Sequence, residues 1–156
     1  MTHQFELSQQ VAAPAGAIWA VLTDIDGAAQ TLSGVSRIEV LTPGEYAPGF
    51  RWRETRTMLG KESTEEMWVT EADAARSTTV EAVSDGVTYT TRFTLTPSGT
   101  GTELRMVFGA ELVRPSVGSR VMMAVLGRLG LLVTRRAMRR DLAEIAARAE
   151  ALAAAG

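Results

Sequence analysis

Apolar side chains recur at every second position at the start of the chain. Phe5, Leu7 and Val11 are in phase with Gln9 between them, so Gln4–Ala12 predicts a β-strand. Pro14 stands where a helix opens, because a first-turn residue needs no N–H. Ile18, Trp19, Val21 and Leu22 give that helix an apolar face ending near Asp24, with Trp19 a packing residue. A second short helix is predicted over Asp26–Leu32, closed by Gly34. From Val35 to Val113 the period changes to two. Breaks at Thr42-Pro43-Gly44, Gly60-Lys61, Asp73-Ala74, Asp85-Gly86 and Pro97-Ser98-Gly99 divide that stretch into six more strands. Ser116–Ala153 reads as one long helix, or two that run on. No linker, repeat or low-complexity stretch interrupts the order, so residues 1–156 are expected to form one α+β domain.

The turns predict a strand register. A two-residue turn at Gly60-Lys61 pairs Arg56 with Glu65 and Trp52 with Val69. A turn at Asp73-Ala74 pairs Val69 with Thr78 and Glu65 with Ala82. Asp85-Gly86 pairs Ala82 with Tyr89, and the looser 97–101 connection pairs Phe93 with Met106 and Tyr89 with Ala110. Each choice leaves Phe50, Trp52, Met58, Met67, Val69, Val80, Tyr89, Phe93, Leu95, Leu104, Met106 and Phe108 on one face. Arg51, Arg53, Thr55, Glu66, Glu81, Arg92, Thr94, Glu103 and Arg105 take the other, with Trp68 lying over Arg53. An apolar sheet face needs a cover, and the C-terminal helix is the element long enough to supply it.

Composition then removes several kinds of chemistry. Hydrophobic residues make up 46% and charged residues 22%, the balance of a folded globular chain. There is no cysteine and a single histidine, His3, near the N-terminus. A disulfide framework, a thiolate or imidazole metal centre and a Ser-His-Asp triad therefore have no source, and no cofactor is expected. The opening MTHQFELSQQ lacks the basic and apolar regions of a signal peptide, so a cytoplasmic protein is expected. Abundant Ala, Arg and Gly against one Lys is the composition of a GC-rich bacterial genome.

Charge is unevenly spread. From Val113 to Gly156 eight arginines face three acids, a net of +5, whereas Met1–Leu112 carries a net of −7. The arginines at 135–148 come with no aromatic stacking platform or phosphate-binding loop, and Asp141 and Glu144 interrupt them, so nucleic acid is not an expected partner. They read instead as the wet side of a helix whose buried stripe is Met138, Leu142, Ile145, Ala149 and Leu152. The preceding run Val121–Val133 is apolar on all sides except at Arg128 and too short to span a bilayer. It suits a pocket cover that also meets a second copy of the chain, a transient contact with a membrane surface, or a flexible gate built on Gly118, Gly127 and Gly130.

The segments Val11-Ala12-Ala13-Pro14-Ala15 and Ile18-Trp19-Ala20-Val21-Leu22-Thr23-Asp24 are followed in order by Gly49-Phe50-Arg51-Trp52, Trp68-Val69-Thr70-Glu71 and Gly101-Thr102-Glu103-Leu104. This succession resembles the START/Bet v 1-like (SRPBCC) superfamily, and within it the polyketide cyclase/dehydrase and lipid-transport group. The resemblance covers nearly the whole chain. It implies the helix-grip fold: a curved seven-stranded antiparallel sheet wrapped around a long C-terminal helix, with two short helices after the first strand. It also implies an internal pocket for a hydrophobic small molecule such as a lipid, polyketide or isoprenoid. No catalytic signature spans the family, so the fold does not decide between a carrier or sensor and an enzyme.

The register places Arg56, Glu65, Ala82, Tyr89 and Ala110 in one row of the apolar face, with Glu54 and Thr91 in the next. Charged groups on such a surface either orient a ligand's polar end or satisfy one another. Arg56 and Glu65 are expected to pair, and Glu54 to sit near the rim. The predicted pocket comprises Trp52, Glu54, Arg56, Glu65, Met67, Val80, Tyr89, Thr91, Phe93, Met106, Phe108 and Val125. Cyclase-type chemistry would use Glu54 and Tyr89 as acid–base groups, with Arg56 holding an enolate oxygen. A third alternative is a scaffold that dimerises through the apolar helix.

Overall fold

The computed structural model describes residues 2–84, 86–113 and 117–156, excepting the side chains of Thr2 and of 118–129. Alternation makes β1 of Thr2–Val11, and Pro14 caps α1, Ala15–Thr23, with Asp24 at its far end. After the short α2, Ala28–Thr31, come β2 (Val35–Val40), β3 (Arg51–Met58), β4 (Lys61–Asp73), β5 (Ser77–Ser84), β6 (Val87–Ser98) and β7 (Gly101–Leu112). The last element, α3, is a single helix over Val117–Ala155. All seven strands join one antiparallel sheet in the order β1-β7-β6-β5-β4-β3-β2. The two short helices carry the chain from one edge of that sheet to the other. Among the described residues no helix is long and apolar enough to cross a membrane.

Two hairpins differ from expectation. The β3–β4 turn is Leu59-Gly60, both at positive φ (51° and 75°), the type I′ geometry that suits a two-residue hairpin. It lies one residue earlier than expected and shifts the pairing by two, so Arg56 faces Ser63, Glu54 faces Glu65 and Trp52 faces Met67. Between β4 and β5 the loop holds three residues, with Ala75 at φ 59° and the Arg76 N–H donating to the Asp73 carbonyl at 2.9 Å. An odd offset of that kind would turn β4 inside out. A β-bulge between Val69 and Glu71 takes one residue back, so Val69 pairs with Val80 and Met67 with Ala82. The β5–β6 and β6–β7 registers are those expected, with Ala82 opposite Tyr89 and Phe93 opposite Met106. Asp85 lies outside the described residues.

Because both shifts are even, the predicted faces hold. On the wet face Arg51 pairs with Glu66 at 2.9 Å and Arg53 with Glu39 at 3.4 Å, half-exposed contacts that contribute at most about 1 kcal/mol each. Trp68 lies against Arg51, 5.0 Å from the ring centre, rather than Arg53, because Arg51 is its cross-strand partner.

The apolar face packs as two clusters. One joins Phe5, Leu7, Leu95, Leu104, Met106 and Phe108 to Ile18 of α1 and to Leu142, Ile145, Ala146 and Ala149 of α3. The other, Phe50, Trp52, Val69 and Val80 with Ile25, Ile38 and Tyr46 against it, fills the β2–β5 side. The α3 stripe runs as predicted through Leu142, Ile145 and Ala149, with Ala146 added. Leu152 is exposed, because Ala153, four residues after Ala149, takes the core-facing position of the last turn. Gly101 is required by close approach: a Cβ there would meet the Val11 carbonyl oxygen at 2.1 Å, where β1 ends against the β6–β7 hairpin.

Leu142→Ala is expected to cost about 2–5 kcal/mol, because the fully enclosed side chain leaves a cavity behind. Leu152→Ala should change stability by less than about 0.5 kcal/mol, as a partly wet site does. Urea unfolding of the two variants beside the wild type checks both values.

Candidate functional site

A cavity of about 310 Å³ lies between the sheet, the α1–α2 segment and α3. Its walls are largely apolar: Val21, Leu22, Ile25 and Leu32 on the helical side, and Trp52, Met67, Val80, Phe93, Met106 and Phe108 on the sheet side. Met138, Leu142 and Ile145 of α3 close it. Every predicted pocket residue with a described side chain lines this space, namely Trp52, Glu54, Arg56, Glu65, Met67, Val80, Tyr89, Thr91, Phe93, Met106 and Phe108. Val125 lies outside the described side chains. So does the predicted run Val121–Val133 as far as 129, beyond which Leu131 and Leu132 are exposed.

The polar part of the wall is arranged otherwise than expected. With Arg56 moved opposite Ser63, its ion-pair partners are Glu54 on its own strand and Asp141 of α3. The guanidinium donates from Nε to Glu54 Oε1 at 2.5 Å and from Nη2 to Asp141 Oδ2 at 2.8 Å. Residues two apart on a strand share a face, which puts Arg56 and Glu54 on the same side of β3. Glu54 is not at a rim: it is buried, and Trp52 Nε1 points at its second oxygen from 3.4 Å. Thr91 sits a row away, between Val80 and Phe108, while Glu65 faces Glu54. Tyr89 stacks on Phe108 with ring centres 6.0 Å apart.

One cation serves two carboxylates, and the titration behaviour follows from that imbalance. Burial disfavours the charged guanidinium, but Glu54 and Asp141 together outweigh it and hold the Arg56 pKa above the ordinary arginine value. Burial lifts the Asp141 carboxyl above its ordinary range, and Arg56, shared with Glu54, offsets only part of that lift. Asp141 Oδ1 is buried without a hydrogen-bond partner.

Tyr46, on the long β2–β3 connection, also lines the cavity. Thr78 Oγ1 donates to the Glu71 carbonyl at 2.9 Å, so the Tyr46 hydroxyl, 2.7 Å away, is the donor to Thr78. Burial raises the Tyr46 pKa. Neither Tyr46 nor Asp141 was anticipated. Tyr46 sits in an aperiodic loop and carries no sequence signal. Asp141 does: three residues after Met138 and four before Ile145, it is an acid on a buried helical stripe.

A family model described as polyketide cyclase / dehydrase and lipid transport matches residues 2–153. The chain belongs to this family. Among solved structures it resembles the Zhui aromatase/cyclase of Streptomyces sp. R1128 at 19% identity and TM-score 0.77, covering 96% of this chain and 94% of that one. A START superfamily protein from Mycobacterium smegmatis matches at 18% identity and TM-score 0.66, covering 97% of each chain. Norcoclaurine synthase from Thalictrum flavum, solved with dopamine and hydroxybenzaldehyde, matches at 15% identity and TM-score 0.70, covering 94% of this chain and 85% of its own. At these identities the structural likeness shows the fold alone, the helix-grip fold. No curated protein sequence matches the chain. Membership of the polyketide cyclase/dehydrase family supports hydrophobic ligand binding or cyclase activity without choosing between them.

Arg56→Met should destabilise the protein at neutral pH by about 3–5 kcal/mol, since it strands two buried carboxylates. Asp141 gives a pH signature. Its folded pKa is raised, so the proton it binds stabilises the folded form. That stabilisation is full below the ordinary aspartate value of 3.8 and lost as pH rises through the raised value. The stability difference between wild type and Asp141→Asn should therefore move in favour of wild type as pH falls through that window. Urea midpoints measured for both proteins across the acid range test this, and parallel curves would count against it.

Proposed function

We propose that the protein binds a hydrophobic small molecule, of lipid, polyketide or isoprenoid character, inside this cavity. The observation that carries the reading is the cavity itself. Its volume of about 310 Å³ lies at the small end of ligand sites, which run from about 300 to 1,000 Å³. Its walls are aromatic, methionine and aliphatic side chains with a few convergent polar groups, the mixture that orients a ligand without discriminating finely among apolar bodies. The pocket residues are Trp52, Met67, Val80, Thr91, Phe93, Met106 and Phe108 for the body, with Glu54, Arg56, Glu65 and Tyr89 around the polar end. A domain that needed only stability would gain by filling such a space, since dispersion contacts are lost around a void.

Cyclase-type catalysis is the second reading, favoured by the family description and by the raised pKa of Asp141. Glu54 and Tyr89 line the cavity as candidate acid–base groups. Glu54 is already paired with Arg56. Asp141 is the carboxyl better placed to hold and return a proton.

Native mass spectrometry of the purified protein, followed by organic extraction, separates these readings. A co-purifying apolar molecule recovered unchanged after prolonged incubation supports a carrier, and one whose mass changes supports an enzyme. Independently, N-phenylnaphthylamine should bind saturably with rising fluorescence. Ala82→Phe, placing a ring in the wall beside Met67 and Tyr89, should weaken that binding at least about tenfold while the far-ultraviolet circular dichroism is unchanged. Equal probe affinity in the two proteins would place the probe elsewhere and count against an internal site.

A further inference from the structure

Resting on that binding reading, we infer that the cavity selects among apolar molecules by head group: it takes those whose polar end donates a hydrogen bond, an amine or a hydroxyl, and rejects those ending in a carboxylate. Among the described lining residues at the polar end, two buried carboxylates, Glu54 and Asp141, share one cation, Arg56. Asp24, exposed on the α1–α2 wall, adds a further negative charge. The single cation is already engaged on two sides, through Nε to Glu54 and Nη2 to Asp141. A ligand carboxylate would have to take Arg56 from one of these partners and leave that acid stranded in the wall.

Asp141 gives the same answer from the acceptor side. The residue is 5% exposed, it lines the cavity, and its Oδ1 has no hydrogen-bond partner. A buried acceptor without a donor is uncommon, because it forfeits its hydration and gains nothing in return. A hydroxyl or ammonium at the polar end of a bound ligand would supply that donor once the carboxyl turns toward the cavity, as a charge-assisted hydrogen bond where the carboxyl is ionised. A carboxylate in the same place would meet like charge.

Displacement of bound N-phenylnaphthylamine by four compounds of one body tests the inference: naphthylethylamine, naphthylethanol, naphthylacetate and ethylnaphthalene. The amine and the alcohol are expected to displace the probe at concentrations at least about tenfold below naphthylacetate, with ethylnaphthalene reporting the apolar body alone. Asp141→Asn is expected to narrow the gap between amine and acetate. Naphthylacetate binding as tightly as the amine, or more tightly, overturns the inference and leaves the pocket reading intact. Failure of all four, ethylnaphthalene included, overturns the pocket reading and the inference with it.

Discussion

The ion pair between Arg56 and Asp141 joins the two halves on which the cavity depends. Arg56 projects from β3 and Asp141 from α3, and their 2.8 Å contact fixes how far the helix stands from the far side of the sheet. Among the described residues it is one of three such ties. Glu144 accepts from the Ser33 backbone N–H at 2.9 Å and from the Ser33 hydroxyl at 2.8 Å, holding the turn after α2. Glu150 accepts from the Ala12 N–H at 3.0 Å, holding the end of β1. These are the three acids of the C-terminal segment, and each is spent on a different part of the frame. The arginines from 135 to 148 are exposed, so the local excess of positive charge is a solvated face, while the scarce acids set the position of the helix.

A helix placed by polar ties at discrete points need not be pulled flush onto the sheet along its whole length. Leu142, Ile145, Ala146 and Ala149 pack tightly against β1, β7 and α1, and Ala149 is fully enclosed. Toward Met138 and Thr134 the sheet side is lined by Tyr89, Thr91 and Phe93, and the space between them stays open. The two apolar clusters flank that space and supply its walls. Leu142 and Ile145 serve both purposes, packing the core on one side and closing the cavity on the other.

How much of this could be read from the chain depends on which property is asked for. The order of elements, the single sheet and the wet and dry faces follow from a period of two broken by Gly, Pro and Asp, and they were legible. The β5–β6 and β6–β7 registers were also legible, through Asp85-Gly86 and the loop around Ser98-Gly99. The β3–β4 turn was not, because Leu59 adopts a positive φ that its side chain disfavours, and Gly60-Lys61 looked the better pair. The β4–β5 loop hid two departures that nearly cancel, an extra loop residue and the bulge after Val69. The departures at both hairpins leave the same side chains facing the cavity, since which face a residue takes depends on the parity of the register. The pairing follows the register itself: the expected partner of Arg56 was Glu65, and Glu54 and Asp141 hold it.

That difference bears on how proteins less than a fifth identical can share this fold. An even slip between strands preserves which side chains point inward, so the apolar core tolerates it and the architecture persists. The same slip carries a charged side chain about two residues along the wall, roughly 7 Å, which is far beyond hydrogen-bond reach. A turn shifted by one residue can therefore dissolve one polar constellation and assemble another without disturbing the sheet. In this chain the turn at Leu59-Gly60 sets Arg56 opposite Ser63, and Glu54 and Asp141 share its guanidinium. The fold is written in the faces of the strands, and the chemistry of the pocket in their register.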